Sequence, residues 1–261
     1  MPQNDFTHEL QIAKDIAYKA GKVMRQYFDG DQQRVIKDDG TPVTIADKLI
    51  NSMVIKELAE YSPDDIVIGE EESTGDYGLG RRWFCDPIDG TKAYTWGVPT
   101  AMFSLGLVID GNAHLGVTYD PFLDKLYWAI RGSGAFCNNA QIHVNDKTLA
   151  SGILGIIGSH YRIRNEAPYL DELHRHHVDM AVFSGAVSKC VRIAEGRFVG
   201  YIEELVNAHD MAASQVIIEE AGGTVTAPDG SKIDYSKPFK GAIASNGIVH
   251  DELVALVKGN S

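Results

Sequence analysis

The stretch Asp86-Pro87-Ile88-Asp89-Gly90-Thr91 places two carboxylates three residues apart, with a glycine and a hydroxyl after the second. The mostly apolar sequence of residues 82–85 predicts a short buried strand. The stretch therefore lies where a strand ends, which is the usual place for a functional site in a layered α/β domain. Carboxylate oxygens are hard ligands that suit Mg²⁺, Mn²⁺ or Ca²⁺. Gly90 lets a backbone N–H approach a phosphate, and a helix that begins near Thr91 would direct free N–H groups at an anion. An acidic turn with a capping aspartate is the alternative that this stretch alone leaves open.

Two other segments offer further carboxylates. Glu70 follows the apolar run 66–68, so it also lies at a predicted strand end, and Asp210 lies in the first turn of a predicted helix that begins at His209. Carboxylates that converge from distant segments repel one another unless cations neutralise them. A two-metal site needs such a set, with one ligand bridging both ions. Read alone, Asp210 is an aspartate that stabilises the macrodipole of its helix.

Length and composition limit the class of protein. The chain has 261 residues, of which 44% are hydrophobic, so it can build a substantial core. Its net charge of −12 argues against a general binder of nucleic acid or of anionic membranes, because these partners need clustered Lys and Arg. We therefore expect no nucleic-acid and no membrane partner. Three scattered cysteines fit a reducing cytoplasm, so a cytoplasmic location is expected.

Apolar periodicity predicts the order of the elements. Helical spacing predicts one helix that ends near Gly30 and a second over residues 46–61, with Leu49 on its buried face. Strands 101–109 and 115–119 flank a hairpin turn. Strands and helices alternate in the second half of the chain, which is typical of an α/β fold.

Several segments, in their order and spacing, resemble the inositol monophosphatase family of metal-dependent phosphomonoesterases, and the resemblance covers nearly the whole chain. The segments are TPVTIAD (41–47), GEE (69–71), DPIDGT (86–91), GAFCN (134–138), GA (185–186), DMAA (210–213) and EAGG (220–223). The resemblance implies a mixed α/β (α+β) fold, a layered αβαβα sandwich, with the site between two halves. The halves are expected at 1–148, which carries most metal ligands, and 149–261, which closes the site; together they form one compact unit.

The resemblance also implies the metal ligands. Glu70, Asp86 and the backbone carbonyl of Ile88 would hold one ion, and Asp86, Asp89 and Asp210 would hold the second, so that Asp86 bridges. Pro87 restricts Asp86 to extended geometry and so fixes the direction of its carboxylate. The expected cofactor is Mg²⁺, two to three ions with the third near Glu70. Mn²⁺ is a possible replacement, whereas Ca²⁺ and Li⁺ are expected to inhibit.

The residues expected to take part in catalysis are Asp47, Glu70 and Thr91. By the resemblance, Thr91 orients the attacking water, and Asp47 accepts a hydrogen bond from the Thr91 hydroxyl. Read alone, Asp47 is a first-turn helix residue that follows a Thr44 cap. Lys37 is interpreted either as a cation that neutralises the site or as a solvated loop lysine.

The substrate is expected to bind at a second set of residues. Its phosphate would rest on the N–H groups of Gly90 and Thr91. Its hydroxyls would meet Gly185, Ala186 and Glu203, and Asp210 is also expected to bind the substrate. For Glu203 an ordinary surface glutamate is an equal alternative, because Glu204 stands beside it.

Some residues depart from the pattern of the inositol-specific members. Many relatives have Trp where this chain has His209. A histidine could tune the second metal through a hydrogen bond to one of its ligands, but we expect it to fill that place without catalytic work. Ala186 stands where Ser or Thr is common, and Lys92 is common in members that act on histidinol phosphate or on nucleotide 3′-phosphates. The leading hypothesis is therefore a phosphatase for inositol monophosphate, a small phosphorylated alcohol. Alternatives are a histidinol-phosphate phosphatase, a nucleotide 3′-phosphatase for adenosine bisphosphate, and a regulatory scaffold that retains the fold. A homodimer and lithium sensitivity are expected from the resemblance alone.

Overall fold

Two β-sheets alternate with three layers of helices. The computed structural model describes residues 6–38, 40–156 and 169–259. Its helices are α1 (Thr7–Phe28), α2 (Ile45–Tyr61), α3 (Thr91–Thr95), α4 (Tyr169–Arg175), α5 (Val187–Ala194), α6 (Ala208–Glu220) and α7 (His250–Lys258). A 3₁₀ turn covers Leu149–Ser151.

The strands fall into three groups along the chain. A two-stranded ribbon is made of β1 (Val35–Ile36) and β2 (Pro42–Val43). The strands of the larger sheet are β3 (Ile66–Gly69), β4 (Arg81–Asp89), β5 (Met102–Ile109), β6 (Asn112–Asp120), β7 (Lys125–Ile130), β8 (Ala135–Cys137) and β9 (Ala140–Ile142). Those of the smaller sheet are β10 (Ile153–Ile156), β11 (Asp179–Val182), β12 (Phe198–Glu203), β13 (Thr224–Thr226) and β14 (Ala242–Ser245).

The layers follow from the way the sheets pack. The seven strands of the larger sheet follow chain order from β3 to β9, and only β3 and β4 run parallel. The smaller sheet has the order β11-β10-β12-β14-β13. Helices α1 and α2 cover the outer face of the larger sheet, α5 and α6 lie between the sheets, and α4 and α7 close the far side. The predicted αβαβα sandwich is confirmed, and the division into two halves stays a prediction.

Helix α2 shows how local sequence sets the first layer. A capping box of Thr44 and Asp47 starts the helix, because each side chain satisfies a free backbone N–H of the other. Ala46, Ile50, Val54 and Leu58 are buried at a spacing of four residues. Leu49 lies beside this stripe and is 44% exposed, so the prediction that it faces the core is wrong.

Strand β4 does not end before Asp86, as the apolar pattern predicts, but continues to Asp89. Asp86 pairs with Ser104 and Asp89 with Met102, and the register shifts between these pairs. Pro87 has no N–H to donate to the neighbouring strand, so an irregularity is favoured there. The shift carries both aspartates to the end of the strand, where Gly90 (φ 83°) turns the chain into α3.

Two glycines set the distance between α6 and the larger sheet. Gly106 of β5 pairs with Gly116 of β6, and both face the backbone of α6. A Cβ at Gly106 would lie 2.6 Å from the backbone nitrogen of Ala213, and a Cβ at Gly116 would overlap its carbonyl oxygen. The close approach holds the first turn of α6, with Asp210, near the end of β4.

Replacement of Gly116 by alanine is therefore expected to lower the free energy of unfolding by about 1–3 kcal/mol, because rigid backbone must move to admit the methyl group. Urea denaturation followed by circular dichroism measures this change. Gly30→Ala is the matched control, since a Cβ there has no backbone neighbour closer than 3.8 Å, and we expect it to be nearly neutral. Equal unfolding midpoints for the two variants would contradict this account of α6 packing.

Candidate active site

A cleft of about 540 Å³ opens between the two sheets at the end of β4. Its walls come from β4, the loop before α5, β12 and the start of α6. All but one of the predicted site residues line it; the lining residues among them are Glu70, Asp86, Ile88, Asp89, Gly90, Thr91, Gly185, Ala186, Glu203 and Asp210. The remaining one, Asp47, is buried behind Thr91. A surface groove of about 640 Å³ between α1 and α2 shares no lining residue with the cleft.

Two groups of side chains that could hold a metal ion lie at the cleft. In one group, ligand atoms of Asp86, Asp89 and Asp210 lie within 4.8 Å of one another. In the other, the same holds for Asp86, Glu70 and His209. Asp86 belongs to both groups, which is the arrangement that two neighbouring cations with one bridging carboxylate require.

The larger sheet positions Glu70 and Asp86. Because β3 and β4 run parallel, their carboxyl ends meet at one edge, and the N–H of Glu70 donates to the carbonyl oxygen of Cys85 at 3.1 Å. Asp86 is held by its own turn, since its Oδ1 accepts from the N–H of Ile88 at 3.0 Å. These contacts leave both carboxylates directed into the cleft.

Helix N-termini hold the other two carboxylates. Both oxygens of Asp89 accept backbone N–H groups at the start of α5, from Ala186 at 2.8 Å and from Val187 at 2.9 Å. Oδ2 of Asp210 accepts from the N–H of Asn207 at 2.7 Å, and Asn207 caps the same turn in return. Free N–H groups and the positive end of the helix macrodipole stabilise both anions.

Despite these hydrogen bonds, the pKa values of the buried carboxyl groups are raised. Burial raises the pKa of Asp86 well above its ordinary value, and Glu70 and Asp89 add repulsion. The pKa of Asp89 rises to about 7 through burial and through the charge of Asp210. The pKa of Asp210 is also raised by burial, although the neighbouring His209 opposes the shift. Such a cluster is stable in its fully charged form only when cations neutralise it.

Thr91 and Asp47 meet beneath this cluster. The hydroxyl of Thr91 lies 2.9 Å from the carbonyl oxygen of Ile88 and 3.3 Å from Oδ1 of Asp47. Oδ2 of Asp47 accepts from the N–H and the hydroxyl of Thr44, so the capping role and the contact with Thr91 exist together. Burial raises the pKa of Asp47 to about 7, against the lowering effect of its hydrogen bonds with Thr44.

Lys37 lies over the carboxylate cluster rather than in solvent. It sits in the tight turn between β1 and β2, a ribbon that the sequence pattern did not predict. Its Nζ is 3.1 Å from Oε1 of Glu70 and 2.5 Å from Oε1 of Glu71. Burial lowers the pKa of Lys37, but the two glutamates outweigh it and the net shift is upward. The interpretation of Lys37 as a neutralising cation is therefore the one that the geometry favours.

The opposite wall of the cleft carries polar groups that are mostly buried. Glu203 is 8% exposed, and its carboxylate accepts from the hydroxyl of Tyr201 and the N–H of Leu205, each at 3.3 Å. A solvated surface position is thus excluded for Glu203. Gly185 has a φ of 105°, and a Cβ there would lie 2.9 Å from Oδ2 of Asp89, so only glycine fits beside the cluster.

The sequence analysis missed Lys189. Its side chain is 1% exposed, lines the cleft and donates to the carbonyl oxygen of Gly185 at 2.7 Å. The rings of Phe183 and Tyr201 lie 4.8 and 4.9 Å from its Nζ. Burial lowers the pKa of Lys189. A signal existed in the sequence, since the lysine stands among the apolar residues Val187, Cys190 and Val191 of a short helix.

In the part of the chain that the structure describes, no helix is both long enough and apolar enough to span a membrane. Cys85, Cys137 and Cys190 are free.

Comparisons with known proteins agree with the geometry. Residues 5–261 match the model of the inositol monophosphatase family. The chain is 36% identical to a histidinol-phosphatase of Chlorobaculum parvum over 83% of this chain and 85% of that protein. It is 31% identical to a fructose-1,6-bisphosphatase/inositol-1-monophosphatase of Aquifex aeolicus over 95% of each. Among solved structures, the inositol monophosphatase of Thermotoga maritima superposes with a TM-score of 0.87 at 27% identity, covering 97% of both chains.

The raised pKa values predict how the stability of the metal-free protein depends on pH. Unfolded aspartates have a pKa of about 3.9, so above that pH the folded state binds more protons than the unfolded state. Stability is therefore lost as the pH rises towards and through about 7, the pKa of Asp47 and Asp89. Thermal melting in chelator should show a falling midpoint between about pH 5 and about pH 8, and a divalent cation should raise the midpoint most at the higher pH.

The variant Asp210→Asn provides the control, because an amide oxygen can still accept from the N–H of Asn207 while the charge is gone. Its melting midpoint should fall less steeply with pH. A wild-type midpoint that rises over this pH range in chelator would contradict the account of buried, mutually repelling carboxylates.

Proposed function

We propose that this chain, which belongs to the inositol monophosphatase family, hydrolyses a small phosphorylated alcohol with Mg²⁺ as its cofactor. Proteins of this family are phosphoric monoester hydrolases, so phosphomonoester hydrolysis is the reaction of this chain. The observation that carries the finer proposal is the pair of ligand groups that share Asp86 beside the N–H groups of the turn into α3. Inositol monophosphate is the leading substrate, since several relatives carry that activity in their names.

The donor set fits hard divalent cations. Carboxylate oxygens and a backbone carbonyl are the ligands that Mg²⁺ and Mn²⁺ prefer, and two of the four carboxylate residues, Asp86 and Asp89, are buried. Glu70, Asp86 and the carbonyl of Ile88 would hold one ion, and Asp86, Asp89 and Asp210 the other. When bound, the two ions would polarise the ester and lower the pKa of the attacking water.

The chain itself binds and orients the phosphate. Gly90 adopts φ 83° and carries no side chain, so the phosphate can approach the N–H groups of Gly90 and Thr91. The loop that carries Gly185 lies close to Gly90, since a Cβ on Gly90 would lie 3.2 Å from the Cα of Gly185. The phosphate would rest on the turn of Gly90 and Thr91, against the carboxylate cluster.

Thr91 and Asp47 would position the water that attacks phosphorus. A hydroxyl donates only one proton, and in this structure Ile88 and Asp47 both lie within reach of it. When that proton is directed to the ionised Asp47, the lone pairs of Thr91 Oγ1 are free to accept from a water. Because the pKa of Asp47 is about 7, this arrangement is most complete above neutral pH.

The far wall would select the alcohol. The carboxylate of Glu203 lies in the cleft and can accept hydrogen bonds from a polyol, while the ammonium of Lys189 lies nearby on the same wall. A ring with several hydroxyls matches this mixture of acceptor and donor. No covalent enzyme intermediate is expected, since no activated Ser, Cys or His accompanies the carboxylates among the residues that the structure describes, and a water is the expected nucleophile.

Histidinol phosphate is the second candidate substrate. Its cationic amine would be attracted by the same carboxylate, Glu203, and the histidinol-phosphatases of Chlorobaculum parvum and Mycobacterium tuberculosis are 36% and 33% identical to this chain. Inhibition by lithium, a homodimer and a cytoplasmic location stay predictions that rest on the resemblance and, for the location, on the free cysteines.

Replacement of Asp89 by asparagine is expected to lower kcat by at least about 100-fold, because the variant loses a charged ligand at the centre of the cluster. Phosphate release from inositol 1-phosphate in Mg²⁺ measures the effect, and circular dichroism checks that the fold remains. Asp64→Asn, at an exposed position of a loop, is the control and should keep wild-type turnover. Near-normal turnover of the Asp89 variant would contradict the assignment.

The substrate is identified by kcat/KM for inositol 1-phosphate, histidinol phosphate and adenosine 3′,5′-bisphosphate under the same conditions. We expect inositol 1-phosphate to give the highest value, at least about tenfold above the others, which corresponds to about 1.4 kcal/mol of transition-state binding. A preference for histidinol phosphate would overturn the leading substrate while preserving the reaction class. Release of no phosphate from any substrate would support the regulatory scaffold instead.

A further inference from the structure

His209 occupies a place in the cluster that its position in the sequence does not reveal. It stands in the first turn of α6, directly before Asp210, and its side chain is 15% exposed. A ring nitrogen of His209 lies within 4.8 Å of carboxylate oxygens of both Glu70 and Asp86. Its Nε2 is also 3.7 Å from Oδ2 of Asp210. The imidazole therefore lies beside the carboxylates of both Glu70 and Asp86 and close to that of Asp210.

The surroundings leave the imidazole available to a ligand. The contact with Asp210 is longer than a hydrogen bond, and no other residue in the described ranges forms a hydrogen bond with the ring of His209. Glu70 and Asp86 offer carboxylate oxygens at the same point. A single cation between these three groups would have one nitrogen and two carboxylate ligands.

We propose that His209 supplies a nitrogen ligand to the ion held by Glu70 and Asp86, and that this position prefers Mn²⁺ or a later transition ion to Mg²⁺. The inference rests on the proposed two-ion site and deepens it. Imidazole is a borderline ligand that suits transition ions, whereas Mg²⁺ favours oxygen donors and binds imidazole weakly.

The two positions of the cluster then differ in their ion preference. Asp86, Asp89 and Asp210 provide only oxygen atoms, so the second position retains the preference for Mg²⁺. Because Asp86 is shared, the two ions remain coupled through one carboxylate. When both ions are supplied together, we expect a mixed state, with Mn²⁺ beside His209 and Mg²⁺ beside Asp210.

Pulsed electron paramagnetic resonance of the full chain, loaded with one equivalent of Mn²⁺ in excess Mg²⁺, tests the proposal without measuring activity. A directly bound imidazole nitrogen gives a ¹⁴N coupling, which should change to the ¹⁵N pattern in protein labelled with ¹⁵N-histidine. The variant His209→Gln, which keeps a polar side chain, should lose the coupling. Calorimetry with Mn²⁺ alone should show an affinity about tenfold or more below wild type for this variant.

The matched control is His143→Gln, since His143 is an exposed histidine in the loop that follows β9. It should retain both the coupling and the Mn²⁺ affinity. The Mg²⁺ affinity should change by less than about threefold in either variant, because the imidazole contributes little to Mg²⁺ binding.

Three results would overturn the inference. Bound Mn²⁺ without a histidine coupling in the wild-type protein would show an all-oxygen site and leave the proposed function intact. A coupling that persists in His209→Gln would assign the nitrogen to another histidine. Binding of neither Mn²⁺ nor Mg²⁺ would overturn the two-ion site as well. The labelled wild-type spectrum decides between the first result and the proposal even if the variant fails to fold.

Discussion

The mutual repulsion of four carboxylates in one corner of the fold is the constraint on which the rest of the structure depends. Asp86, Asp89 and Asp210 carry raised pKa values because burial and like charges oppose their ionisation. A protein that evolved only for stability would replace such a group with apolar residues. The presence of this cluster at the ends of β3 and β4 and the start of α6 is consistent with a function in which cations supply the missing charge.

The strands and helices around this cluster position its carboxylates. Parallel pairing of β3 and β4 brings Glu70 beside Asp86, and the register shift at Pro87 carries Asp89 to the end of the strand. Helix α5 presents its first N–H groups to Asp89. Gly106 and Gly116 let α6 approach the larger sheet. A stability effect at these distant glycines is therefore also an effect on the geometry of the ligands.

Much of this could be predicted from the sequence, because the information was local. The periods of α1 and α2, the hairpin of β5 and β6, and the Thr44 cap each depend on neighbouring residues. The failures depend on tertiary contacts. Each strand of the β1–β2 ribbon is only two residues long, so the ribbon depends on pairing between the strands and not on an apolar pattern in the sequence. Lys189 is buried through its contacts with Gly185 and Tyr201, which no sequence period encodes.

His209 shows most clearly what a resemblance between sequences cannot predict. The replacement of one family residue by another predicts that the histidine fills space, with a hydrogen bond that tunes the second metal as the alternative. The structure adds the one fact that changes the interpretation, which is the distance between the imidazole and the carboxylates of Glu70 and Asp86. Because ion preference depends on donor type as well as on charge, a single substitution at the edge of a shared cluster can change which metal the protein selects while its fold and its reaction stay the same.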